Sequence, residues 1–100
     1  MALLDISVVP VGTPSPSIGD YIAEVVKTCN KAGVKYRLTD MGTIIEGRPA
    51  DLFKIALKLH ETPFKKGIKR VITSISIDDS RDKKVRLDDK VSSVTARLTK

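Results

Sequence analysis

Asp5 and Glu46 are carboxylates set in segments of alternating apolar residues, and a carboxylate so placed can hold a cation or accept a hydrogen bond from an amino group. Ser7 follows Asp5 by two positions, and Ser74 and Ser76 repeat that spacing further along the chain. On strands, such residues share a face and supply adaptable hydrogen-bond partners. A structural use competes with ligand binding at each acid. Glu46 lies opposite Lys35 if the intervening residues form a hairpin, and Asp5 can meet a basic residue of a second subunit. The stretch from Thr13 to Ser17 offers a second location, because hydroxyls and free backbone donors ahead of a helix suit an anionic group, although capping alone is the plainer use of Ser17.

These residues need elements to position them, and hydrophobic periodicity names the elements. Leu4, Ile6 and Val8 alternate with Asp5, Ser7 and Val9, which predicts a first strand over Leu3–Val11, ended by the glycine and prolines of residues 12–17. Ile18, Ile22, Val25, Val26 and Cys29 recur at helical spacing, with Ser17 and Asp20 resembling a capping box and Gly33 a stop. The run Lys35–Gly47 reads as a hairpin with Asp40 and Met41 at its tip, so that Leu38 faces Thr43, Arg37 faces Ile44, Tyr36 faces Ile45 and Lys35 faces Glu46. A second helix is expected over Ala50–Glu61, started by Pro49 and ending at His60, then a basic loop from Pro63 to Lys69. Val71, Thr73, Ile75 and Ile77 predict a fourth strand over Arg70–Asp78. The charged stretch after it reads as an exposed connection, leading to a last helix over Asp88–Leu98 with Leu87, Val91, Val94 and Leu98 in one seam.

Composition bounds the function. A 100-residue chain with 41% hydrophobic residues is expected to form one domain with a modest core. The formal charge is +6, of which the segment from Lys83 to Lys100 alone carries +4. That is enough for weak attraction to polyanions, but only four aromatic residues are present and only Tyr36 falls in a strand, on the core side. Specific nucleic-acid binding is therefore not expected. Cys29, the single cysteine, allows no intrachain disulfide and reads as core. No apolar run approaches the ~20 residues of a membrane helix, and no signal peptide is seen, which places the expected location in the cytoplasm. The chain shows no Gly-rich phosphate loop, no His or Cys cluster for a metal, and no nucleophile with an evident base. A non-enzymatic protein without cofactor or metal is the expectation.

The order strand, helix, strand, strand, helix, strand with right-handed crossovers predicts an α+β, ferredoxin-like sandwich: an antiparallel sheet in spatial order 4-1-3-2, two helices on one face, and an appended C-terminal helix. The open face would carry Asp5, Ser7, Arg37, Glu46, Ser74 and Ser76 together with Val9, Ile44 and Ile72, more apolar than a simple wet surface.

The sequence also resembles the small thiamine-binding, YkoF-like family of ferredoxin-like domains that oligomerise. The resemblance covers nearly the whole chain and rests on five blocks: residues 6–12, 15–17, 21–26, 38–47 and 77–83. Three loop positions depart from it: the family usually has a proline where Asp40 stands, an arginine where Ser80 stands, and often an acidic residue in place of Arg48. The resemblance implies binding of thiamine or its hydroxymethylpyrimidine moiety, whose thiazolium cation and amino group want acceptors such as Asp5 and Glu46. The expected ligand set is Asp5, Ser7, Ser17, Arg37, Thr43, Glu46 and Ser74. A homo-oligomer, a dimer of dimers, is expected, with residues 85–100 in its interface. A regulatory or structural oligomer holding another small ligand or anion is the alternative, with an RNA-binding module ranked behind it.

Overall fold

The computed structural model describes residues 1–12 and 18–99. Its elements are β1 (Ala2–Pro10), α1 (Ile18–Ala32), β2 (Lys35–Thr39), β3 (Gly42–Gly47), α2 (Pro49–Lys65), β4 (Val71–Asp79) and α3 (Asp89–Leu98). The strands form one antiparallel sheet in the order β2-β3-β1-β4, which is the expected ferredoxin-like arrangement read from the other edge. Alternation along β1 decides what each face does. Ala2, Leu4 and Ile6 are buried with Ile45 of β3 against Leu52, Ile55, Ala56 and Leu59 of α2 and Cys29 of α1. Asp5 and Val9 point to the opposite, open face and are exposed.

Local chemistry ends α1 and turns the hairpin where the periodicity says. At the close of α1, Gly33 takes φ +68°, its N–H donates to Asn30 O, and the Val34 N–H donates to Cys29 O. These two bonds form a Schellman cap, which a left-handed glycine permits without steric cost. The β2–β3 hairpin has the expected register, with Lys35 opposite Glu46, Arg37 opposite Ile44 and Leu38 opposite Thr43. Its two-residue tip, Asp40 and Met41, has no positive φ, so it is not the mirror-image turn usual in such hairpins. The Thr39 hydroxyl secures it instead. Thr39 Oγ1 accepts from the Gly42 N–H at 3.1 Å and the Met41 N–H at 3.3 Å, and donates to Gly42 O at 2.9 Å.

Several element boundaries differ from the sequence reading, the starts of α2, at Pro49, and α3, at Asp89, by a single residue. β1 and β4 shift by one residue, Ala2–Pro10 in place of Leu3–Val11 and Val71–Asp79 in place of Arg70–Asp78. α2 runs to Lys65, through Pro63, so the expected loop starts later. Pro63 removes one helix hydrogen bond, but it is fully buried in the last turn, where packing offsets the loss. His60 is consequently not at the helix end: it is half-buried, bonded to Thr73 Oγ1 at 2.7 Å and edge-on to Phe64. The Ser17 cap and the anion site at residues 13–17 lie outside the described residues.

Candidate functional site

The two ladders that hold β1 differ in length, and the difference makes a site. β1 pairs with β4 over all nine of its residues, to Pro10 opposite Val71, but with β3 only as far as Ile6 opposite Thr43. Beyond that point β1 runs on while the hairpin turns back. The notch between them opens into a cavity of about 180 Å³ under the helix layer. Ile6 to Pro10 form one wall, Leu38 to Thr43 a second, and Tyr21, Ile22 and Val25 of α1 with Leu59, Thr62 and Pro63 of α2 the roof. Apolar side chains dominate, with Ser7, Tyr21, Thr39, Asp40, Thr43 and Thr62 as the polar minority, a mixture typical of a small-molecule site.

The expected ligand residues divide into two groups. Ser7 and Thr43 line the cavity, Thr43 being buried from the helix-facing side of β3. Asp5 stands beside it: a Cβ built on Gly42, a lining residue, would lie 2.8 Å from Asp5 Oδ1 and 2.8 Å from Ile6 O. Ser74 is the cross-strand partner of Ser7, and Ser76 of Asp5. Neither Asp5 nor Asp40 forms an ion pair with another described residue, so the lining carboxylate of Asp40 and that of Asp5 next to Gly42 carry no cation from the described residues.

Arg37 and Glu46 are engaged elsewhere. The segment before α3 meets the open face at the other end of β3, away from the hairpin tip, burying Leu87, whose N–H donates to Glu46 Oε1 at 2.9 Å. Arg37 grips Asp88 with two contacts, Nη1 to Oδ1 at 2.6 Å and Nη2 to Oδ2 at 2.7 Å. Glu46 therefore meets a backbone donor of the C-terminal segment, not the Lys35 side chain opposite it in the hairpin. Ser17 lies outside the described residues.

Tyr21, Thr39, Asp40 and Thr62 were not singled out as site residues from the sequence. For Asp40 a signal existed, since it stands where the resembled family has proline. Tyr21 and Thr62 come from helices, and only the packing of both helices over one strand end brings them together.

A family model described as thiamine-binding protein matches residues 4–95. The chain is 45% identical to the UPF0045 protein YqgV of Bacillus subtilis (strain 168), over 98% of each chain. The crystal structure of MJ1052 from Methanocaldococcus jannaschii superposes with a TM-score of 0.83 at 24% identity, covering 94% of this chain and 95% of that one. A Thermotoga maritima protein named for thiamine biosynthesis or salvage shares the fold with a TM-score of 0.77 at 20% identity, over 93% and 97% of the two chains.

Proposed function

The chain belongs to the thiamine-binding protein family, and from that premise we propose that it binds thiamine or its hydroxymethylpyrimidine moiety, without turning it over, in the notch between β1 and the hairpin tip. The observation that carries the reading is the cavity itself, with Asp40 in its lining and the Asp5 carboxylate next to the lining residue Gly42, neither ion-paired with another described residue. Its volume of about 180 Å³ is below the ~300–1,000 Å³ of sites for drug-sized ligands. One ring fits such a space. The neutral pyrimidine takes the mostly apolar interior, with Ser7 and Thr43 as hydroxyl partners, and the thiazolium cation stays at the rim, where Asp5 and Asp40 offset its charge. Ser74 extends the hydroxyl set on the open face. Arg37 and Glu46 serve the site indirectly by anchoring the C-terminal segment.

The same reading gives a cytoplasmic homo-oligomer, a dimer of dimers, with residues 85–100 in the interface and no specific nucleic-acid partner. The placement of the aromatics supports the last point. Tyr36 faces the helix layer, and Tyr21, Phe53 and Phe64 sit on helices, so none of the four offers a stacking platform on the open face.

Calorimetry with thiamine and with hydroxymethylpyrimidine tests the ligand. Saturable heat is expected from both, weakened by Thr43→Val and, for thiamine more than for the uncharged pyrimidine, by Asp5→Asn. No heat and no rise in melting temperature at millimolar concentrations of either compound rejects the reading. It would leave the chain as a regulatory or structural oligomer.

A further inference from the structure

The wall of the notch formed by β1 is main chain as well as side chain, and its polarity follows from register. In an antiparallel strand the N–H and C=O of one residue address the same neighbouring strand, and successive residues alternate between neighbours. The Val11 N–H donates to Arg70 O at 2.9 Å, on the β4 side. Even-numbered residues of β1 therefore address β3, in agreement with the close approach of Ile6 O to Gly42. Val8 is the first even-numbered residue after the β3 ladder stops at Ile6, and it lines the cavity. Its N–H and C=O turn into the notch. Pro10, the next on that edge, has no N–H to offer, so Val8 supplies the one complete donor–acceptor pair.

We propose that Val8 reads the ligand through its backbone, recognising a planar ring that carries an amino group beside a ring nitrogen. The amino group donates to Val8 C=O while the ring nitrogen accepts from the Val8 N–H, as a missing strand residue would. This inference rests on the ligand reading above and specifies the chemistry it selects. It accounts for the mostly apolar side chains around the notch: Ile22, Val25, Leu38 and Leu59 cover the faces of a ring whose polar edge the backbone satisfies. Thiamine's pyrimidine has such an edge, and so do cytosine and adenine. An oxo ring, with an acceptor in place of the amino group and a donor in place of the ring acceptor, presents the reverse pattern to Val8.

Cys29 makes the test practical, because the full chain can be assembled by ligating a thioester of residues 1–28 to a fragment beginning at that native cysteine. The hydroxy-acid analogue of valine at position 8 replaces a single N–H by oxygen. Calorimetry of the unaltered chain is expected to show hydroxymethyl aminopyrimidine binding about 10- to 100-fold tighter than its oxo counterpart, and the ester chain is expected to lose about 10-fold. Equal affinity for the amino and oxo rings, or an ester chain that folds and binds as tightly as the unaltered one, overturns the proposal while leaving thiamine binding intact. If the ester chain does not fold, the amino–oxo comparison decides, since it needs no altered protein. Tighter binding of cytosine or adenine than of the hydroxymethyl compound, with the same loss on the ester, supports backbone readout and rejects thiamine as the ligand. An unaltered chain that binds none of these rings overturns both.

Discussion

At Gly42 the site and the fold share one atom's worth of space, for β1 leaves no room there for a side chain. A methyl group there would sit 2.8 Å from Ile6 O, a backbone atom that cannot swing aside, and 2.8 Å from Asp5 Oδ1, which can. Gly42→Ala is expected to cost about 1–3 kcal/mol, read as a lower denaturant midpoint at unchanged slope. Gly19, with no atom of another described residue within 4 Å of its would-be Cβ, is the control. Gly19→Ala should gain up to about 1 kcal/mol, because a helical glycine costs backbone entropy and no other described residue occupies the space. Cys29 makes a pH statement of the same kind. Burial pushes its thiol above the ordinary value, so the neutral form is the one the fold favours. That contribution is intact below the thiol's unfolded-state pKa and is lost as pH rises through it toward the folded value. A thiol reagent should therefore react slowly with the native protein and at the rate of a free thiol once urea unfolds it; equal rates would show that Cys29 is not the core residue its position indicates.

The C-terminal segment between β4 and α3 is an element without regular structure, held by named bonds. Leu87 is buried and gives its N–H to Glu46, Arg37 grips Asp88, and Lys90 reaches Asp78 at 3.0 Å. Asp88 sits at φ +75°, the one described non-glycine residue with positive φ, a conformation that aspartate tolerates better than most residues. Glu46→Ala is expected to destabilise by about 1–3 kcal/mol, since it leaves a buried N–H without its acceptor, while Glu46→Gln keeps an acceptor oxygen and should lose less. Hydrogen bonds from Lys90 and then Ser80 hold the Asp78 carboxyl below the usual carboxylate range. Such a group stabilises the fold above its unfolded-state pKa and loses that contribution as pH falls through its folded value, so Lys90→Met should flatten the acid limb of a stability–pH curve. Much of this level was legible in the sequence. Alternation fixed the register of the hairpin residue by residue, because a one-place slip would expose Ile45 and bury Arg37. The end of α2 was not legible, because proline ordinarily stops a helix and only tertiary burial of Pro63 carries it on. The notch was half legible: the lengths of β1 and the hairpin imply that one outruns the other, but the two helices that roof the gap are brought there by long-range packing. The partner of Glu46 was out of reach, since Leu87 lies 41 residues away and approaches across the open face.

The whole molecule is more extended than its length requires. Its radius of gyration is 15.1 Å and its axes span 50 × 30 × 21 Å, against about 13 Å for a compact 100-residue domain. α3 has no buried residue. Val91 is 59% exposed, Val94 52% and Leu98 79%, and on the open face Val9 is 47% and Ile72 54% exposed. Whether a second copy covers them is a question of magnitude. Full burial of an aliphatic side chain is worth roughly 1.5–3 kcal/mol, so the three α3 residues from each of two subunits give roughly 9–18 kcal/mol as an upper figure, against an association cost of about 4–15 kcal/mol. That margin is thin for α3 alone and comfortable only if the open faces join, so the assembly to expect, and to test, is a dimer of dimers using both surfaces. Light scattering at micromolar concentration should give a multiple of 10.9 kDa, close to fourfold. Changing Val91 and Val94 to Asp should lower that mass by removing one of the two interfaces, and adding Val9→Asp with Ile72→Asp should bring it to the monomer. A wild-type mass of 10.9 kDa would reject the assembly, and a tetramer indifferent to the helix changes would confine the interface to the sheet.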